Sequence, residues 1–156
     1  MEAVVSPCGA YRYLLLREWS AARPPLAFVM LNPGFADAAR DDPTIRRCIG
    51  FARREGWGGV VVANLFAYRT PYPSELAAAP EPVGPENEAT LRLLAQTSKA
   101  PIICAWGANA PGPLCDHAIA VLGAHGAALL CLGRTKSGAP RHPLYVRRDK
   151  AFEPFP

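Results

Sequence analysis

The sequence predicts an α/β fold, a three-layer sandwich with a mostly parallel central sheet, formed as a single domain over residues 1–156. Three observations predict it. Short runs of continuously apolar residues recur along the chain, as strands buried on both faces require. Segments of helical spacing separate these runs, and that alternation builds a sheet covered on both sides. Half of the 156 residues are apolar, enough for one sizeable core at a length that fits one domain.

Taken in order, residues 11–19 (YRYLLLREW) read as a first strand or strand pair near the sheet edge. Residues 26–31 (LAFVML) form a second strand, stopped by Pro33-Gly34. Across residues 43–56 the spacing of Ile45, Cys48, Ile49 and Ala52 is helical, with Asp42 as cap, Pro43 in the first turn and Gly56 as stop. The next strand, residues 60–66 (VVVANLF), carries Asn64 near its end. The Pro- and Ala-rich residues 71–85 read as a surface loop with one helical turn from Ser74. An amphipathic helix follows over residues 86–99, with Leu91, Leu94 and Ala95 on one face. A strand at 101–106 (PIICAW), a helix at 115–123 and a strand at 127–132 (AALLCL) complete the alternation. Three strands end in polar or Gly-containing turns, and in open α/β sheets ligands collect just beyond those carboxyl ends. The tail at 133–145 (GRTKSGAPRHPLY) follows the last strand and should reach the same rim.

Composition narrows the function classes. Seventeen Lys and Arg against 13 Asp and Glu give a net charge of +4, which permits a polyanionic partner without requiring one. Cys8, Cys48, Cys104, Cys115 and Cys131 contain no C-x-x-C pair and read as reduced, partly buried thiols. No Walker or G-x-G-x-x-G loop and no metal-ligand spacing is present, so neither a cofactor nor a metal is expected. The first residues carry neither a basic segment nor a long apolar run, and no stretch approaches a membrane span. A cytoplasmic setting with no membrane partner is the expectation.

The stretches MLNPGFADA, DDPTIRRC, ANLFAYR, AWG and TKSGAPRHPLY, in that order, resemble the bacterial proteins grouped as domain-of-unknown-function 1643. More distantly, MLNPG (Asn32), VVANLF (Asn64), CAWGANA (Trp106, Gly107) and RHPLY (His142) are similar to successive motifs of the uracil-DNA glycosylase superfamily. Two positions depart from that pattern. Met30-Leu31 stand where it has a Gly before the Asn, and Leu144 stands where its His-Pro-Ser has a hydroxyl.

The glycosylase resemblance implies a related fold and hydrolysis of an N-glycosidic bond in nucleic acid or a nucleotide. Such a bond breaks through an oxocarbenium-like transition state, and the departing base becomes an anion. His142 would donate a hydrogen bond to it from a neutral imidazole. Asn32 would hold the attacking water through its amide oxygen, as a positioner and not a base. General-base catalysis contributes about 10²–10⁴-fold, so the enzyme would be slow unless Asp37, Asp41 or Asp42 lends a carboxylate. Asn64 would read the base edge, Pro33 and Gly34 would lie against the substrate, and Phe35, Phe66 or Tyr68 would stack on the ring. Arg134, Lys136 and Arg141, with Arg147 and Arg148 beyond them, would contact phosphates.

Other readings of the same residues stand beside these. Asn32 also suits an Asx turn, Asp41-Asp42 a helix cap, Trp106 the core, His142 an ordinary surface position, and the basic tail a solvated face. A binding module that recognises a base or nucleotide without turnover fits an amide-based site equally. A metal-dependent hydrolase using Asp37, Asp41, Asp42 and His142 is the third reading. The sequence leaves the oligomeric state and the identity of the base open.

Overall fold

The computed structural model describes residues 1–156, which form one seven-stranded sheet with helices on both faces. The strands are β1 (Glu2–Val5), β2 (Arg12–Glu18), β3 (Pro25–Met30), β4 (Gly59–Asn64), β5 (Ile102–Cys104), β6 (Leu129–Cys131) and β7 (Glu153–Pro154), in the spatial order β1-β2-β4-β3-β5-β6-β7. The helices are α1 (Pro43–Arg54), α2 (Asn87–Thr97) and α3 (Gly112–Gly123), with short 3-10 turns at Pro73–Ala78 and Pro143–Tyr145.

The sheet is mixed, which corrects the expectation of a mostly parallel one. β4, β3, β5 and β6 run parallel, whereas β1–β2, β2–β4 and β6–β7 pair antiparallel. The physical reason lies in the connections. Parallel neighbours need a crossover of about a dozen residues or more, and the link from β2 to β3 spans only residues 19–24. β2 therefore reverses direction, and β4 inserts between it and β3. β2 lies near the edge of the sheet as expected, but the edge itself is β1, which the sequence reading did not identify and which pairs along its outer side. β7 was likewise unforeseen.

Two apolar clusters fill the spaces between sheet and helices. On one face Ile45, Cys48, Phe51 and Ala52 of α1 pack on Phe28, Met30, Val60 and Val62. On the other, Leu91 and Leu94 of α2 and Ala118, Val121 and Leu122 of α3 pack on Ala27, Val29 and Ala63. Fully burying a Val, Leu, Ile or Phe side chain contributes about 1.5–3 kcal/mol, so these alternating faces hold the strand ends in fixed register. α1 begins as its sequence predicts: Asp42 Oδ1 accepts from the Ile45 N–H at 2.8 Å, and Pro43 occupies the first turn. All five cysteines are free, with Cys48, Cys104 and Cys131 buried. No helix is long and apolar enough to cross a membrane.

Candidate functional site

A cavity of about 620 Å³ opens at the carboxyl ends of β3 and β5, within the size range of small-molecule sites. Four other segments complete its wall: Arg12 at the start of β2, the first residues of α1 with Asp42 before them, the loop at Thr70, Pro71 and Pro73, and the tail from Thr135 to Tyr145. Asn32 and His142, remote in sequence, share this cavity, as do Gly34, Trp106, Lys136 and Arg141.

Asn32 follows the end of β3, where the chain beyond β4 stays close. Leu65 and Phe66 donate to the carbonyls of Met30 and Leu31, and Thr70 N–H donates to the Pro33 carbonyl. That path brings the Thr70 carbonyl to 2.7 Å from Asn32 Nδ2, which also donates to the Pro33 carbonyl at 3.1 Å. Both partners are carbonyls, which only accept, so the NH₂ end of the amide must face them. Asn32 Oδ1, which takes no protein donor, is therefore the end available to a ligand or a water.

His142 precedes the 3-10 turn and is half-buried. The Leu144 N–H donates to its Nδ1 at 3.2 Å, which makes Nδ1 the acceptor and puts the proton on Nε2. Burial holds the imidazole below the ordinary histidine range, against an opposing pull from Asp42. The ring is thus neutral at pH 7, with an Nε2–H that has no protein partner. Two features hold this turn in place, and the sequence reading missed the first of them. Arg47 of α1 donates from Nε to the Pro143 carbonyl at 3.1 Å and from Nη2 to the Val146 carbonyl. Gly107, at φ +78°, donates to the Pro140 carbonyl at 2.8 Å and would bring a side chain against His142. A guanidinium every few residues on an exposed helix face is a weak sequence signal, and its carbonyl partners lie almost a hundred residues away.

Asp42 serves two purposes. Its Oδ1 caps α1, while the residue also stands in the cavity wall. Gly34 permits this approach, since a Cβ there would sit 3.2 Å from Asp42 Oδ2. Asp37 and Asp41 are committed elsewhere. Asp37 Oδ1 accepts from the Ala39 and Arg40 N–H groups at 2.8 Å each, and Asp41 pairs with Arg17 Nε at 2.7 Å. No three His, Cys, Asp or Glu side chains converge as a metal site, and of Asp37, Asp41, Asp42 and His142 only Asp42 and His142 share the cavity.

Several expected residues lie outside the cavity wall. Asn64 is fully buried at the end of β4, and neither Nδ2 nor Oδ1 has a hydrogen-bond partner. Its register partner Met30 stands in the wall instead. Phe66 packs in the cluster beneath α2 and α3, so it is not placed to stack on a ring in the cavity. Phe35 is 69% exposed and also outside it. Pro33 is buried behind the wall, its carbonyl taken by Thr70 and Asn32. Arg134 turns away, donating to the Pro154 carbonyl and lying over Phe155. The aromatic groups that do line the cavity are Trp106, 2% exposed and edge-on to Phe155, and Tyr145, 5.5 Å from the His142 ring.

Arg12 is the main residue that sequence reading overlooked. It is 2% exposed yet lines the cavity, and it has no ion-pair partner. Its Nη1 donates to the Ala36 carbonyl, while Nε has no partner at all. A charged residue closely followed by the apolar LLL is the one available signal, and strand pairing is needed to see that it is buried.

No curated protein and no solved structure matches the chain. The family model described as protein of unknown function (DUF1643) matches residues 12–144, a span that includes Arg12, Asn32, Asp42 and His142. The chain belongs to that family.

Proposed function

We propose that the protein hydrolyses an N-glycosidic bond of a base in nucleic acid or a nucleotide, on a fold related to that of uracil-DNA glycosylases. The observation that carries this reading is the pairing, in one cavity, of a free amide oxygen on Asn32 with a free Nε2–H on His142. The two groups have complementary tasks. The amide oxygen orients a water toward the sugar carbon, and the neutral imidazole stabilises the negative charge that develops on the departing base. The neutral imidazole already carries the Nε2–H this role needs, because Nδ1 accepts from Leu144. Asp42 is the only carboxylate in the cavity wall and is the group available to accept the water's proton. Tyr145, exposed in the cavity wall, takes the place of Phe35 and Phe66 as the ring against which a base would stack, while Trp106 closes the wall from the core. Lys136 and Arg141 at the mouth would meet phosphates.

The test is direct. Purified protein should release free uracil from a uracil-containing oligonucleotide or from a deoxyuridine nucleotide, and Asn32→Ala and His142→Ala should each abolish release. The reading fails if no deaminated or modified base is released from either kind of substrate.

One observation favours a second reading, a base- or nucleotide-binding module without turnover. Asp42 is already engaged as a helix cap, which lowers its availability as a base. Such a module would be stabilised against heat by nucleosides or nucleotides through mass action, with no product formed.

A further inference from the structure

We propose that Arg12 is the anchor of a phosphate subsite within the cavity, and that the ligand it takes is a nucleotide carrying a terminal phosphate monoester. The nucleotide part rests on the preceding reading of the cavity as a base site. The phosphate part stands on Arg12 alone.

A guanidinium removed from water needs either an ion-pair partner or a full set of acceptors, because the desolvation penalty is several kcal/mol per ion. Arg12 has neither. It is 2% exposed, forms no salt bridge, and gives one hydrogen bond, to the Ala36 carbonyl. Nε is buried and unpartnered, and Nη2 has no protein acceptor either. Burial pulls its pKa down to about 10, so it remains charged at neutral pH. The cavity wall holds the remaining charge: Lys136 and Arg141 add two cations, and Asp42 is the single carboxylate. With His142 neutral, that leaves an excess of two positive charges, which a dianionic phosphate monoester matches. A carboxylate or an internal phosphodiester carries only one. The fork of guanidinium donors also suits phosphate oxygens in pairs.

Titration of the full chain with inorganic phosphate, with acetate at equal ionic strength as comparison, tests the subsite. Wild-type protein should bind phosphate saturably and at least tenfold more tightly than acetate. Arg12→Met should lose that preference, and Arg12→Lys should retain part of it. Phosphate bound no better than acetate, or bound equally by Arg12→Met, overturns the subsite. Should Arg12→Met not fold, the wild-type Arg12 Nε–H resonance decides: phosphate must shift it saturably, and an unmoved signal overturns the proposal. Deoxyuridine 5′-monophosphate should bind at least tenfold more tightly than deoxyuridine. Equal binding of those two overturns the nucleotide assignment while leaving phosphate binding at Arg12 in place. Failure to release any base, with phosphate binding intact, overturns the hydrolase reading alone.

Discussion

Arg17 and Arg12 stand near opposite ends of β2, are 3% and 2% exposed, and both reach the segment that joins β3 to α1. Every nitrogen of Arg17 finds an acceptor. Arg17 pairs with Asp41, and its other nitrogens donate to the carbonyls of Leu16, Asp37 and Arg40. Arg12 takes only the Ala36 carbonyl from the same segment. One strand thus carries a cation whose hydrogen bonding is completed by the protein and another whose hydrogen bonding is left open toward a cavity. The difference separates structural polarity from polarity held for a ligand. The same division runs through the cavity residues: Asn32 is tied by its nitrogen and His142 by Nδ1, while the opposite end of each is free.

The largest test of this contrast exchanges each arginine for methionine. Arg17→Met strands several carbonyls and Asp41, whose side chain is 26% exposed, and should cost about 3 kcal/mol, the low end for breaking a buried pair. Arg12→Met removes a charge held by no salt bridge, with Asp42 and Asp37 acting on it only at longer range, and should be neutral, or stabilising by up to about 2 kcal/mol, because an apolar replacement escapes the desolvation penalty. Urea unfolding of both variants reads the difference directly. Equal losses would break the comparison, since Arg12 would then be as structural as Arg17.

A second test concerns the saturated contacts that carry the site. Arg47 latches the turn after His142 through two charged-donor hydrogen bonds to carbonyls. Arg47→Ala should cost about 2–3 kcal/mol, at roughly 1.5–3 kcal/mol for a hydrogen bond to a charged group. It should also accelerate hydrogen exchange at the Leu144 amide, whose proton fixes the His142 tautomer. A stable variant with an unchanged Leu144 amide would show that α1 does not position the imidazole.

Much of this organisation was legible before folding, and the exceptions share a cause. The apolar runs marked β3, β4, β5 and β6, and the Asp42-Pro43 pair marked the start of α1 to the residue. Asn32 and His142 could be grouped because both follow strand ends on one rim. Strand direction was not legible, since YRYLLLRE reads the same whichever way it pairs, and β1 and β7 are too short or too polar to signal themselves. Phe66 reads from the sequence as one of the rings able to stack on a base, but its side chain belongs to the cluster beneath α2 and α3. Arg12 and Arg47 escaped notice because their meaning lies in partners distant along the chain, or in the lack of any.

Asn32→Asp sharpens the contrast at a single side chain. Aspartate would be the stronger base, yet it would set carboxylate oxygens against the Thr70 and Pro33 carbonyls where an NH₂ group now donates. The loss should be about 1–3 kcal/mol, the range for leaving buried acceptors unpaired. A variant of unchanged stability would mean that the amide's nitrogen end is not tied as described. This is the physical reason for a neutral amide at the mouth of β3: the backbone demands a donor on one side while the cavity is offered an acceptor on the other.

The smallest effect is a pH dependence, and it has a definite sign. Unfolded chain takes up a proton on His142 near the ordinary value of about 6.5, whereas the folded site takes it up only at lower pH, because burial disfavours the cation and the Leu144 N–H occupies Nδ1. Between those two values the unfolded state binds more protons, so stability falls as pH is lowered through the window and is unaffected above it. His142→Gln should remove that part of the acid loss. Asp42→Asn should deepen it, since the carboxylate is the one group pulling the imidazole toward protonation. Unfolding midpoints at pH 5 and pH 8 for the three proteins decide the matter. If Asp42→Asn instead flattens the profile, the imidazole is charged in the folded protein, and it stands with Arg17 among the paired cations and not with the open donors of the cavity.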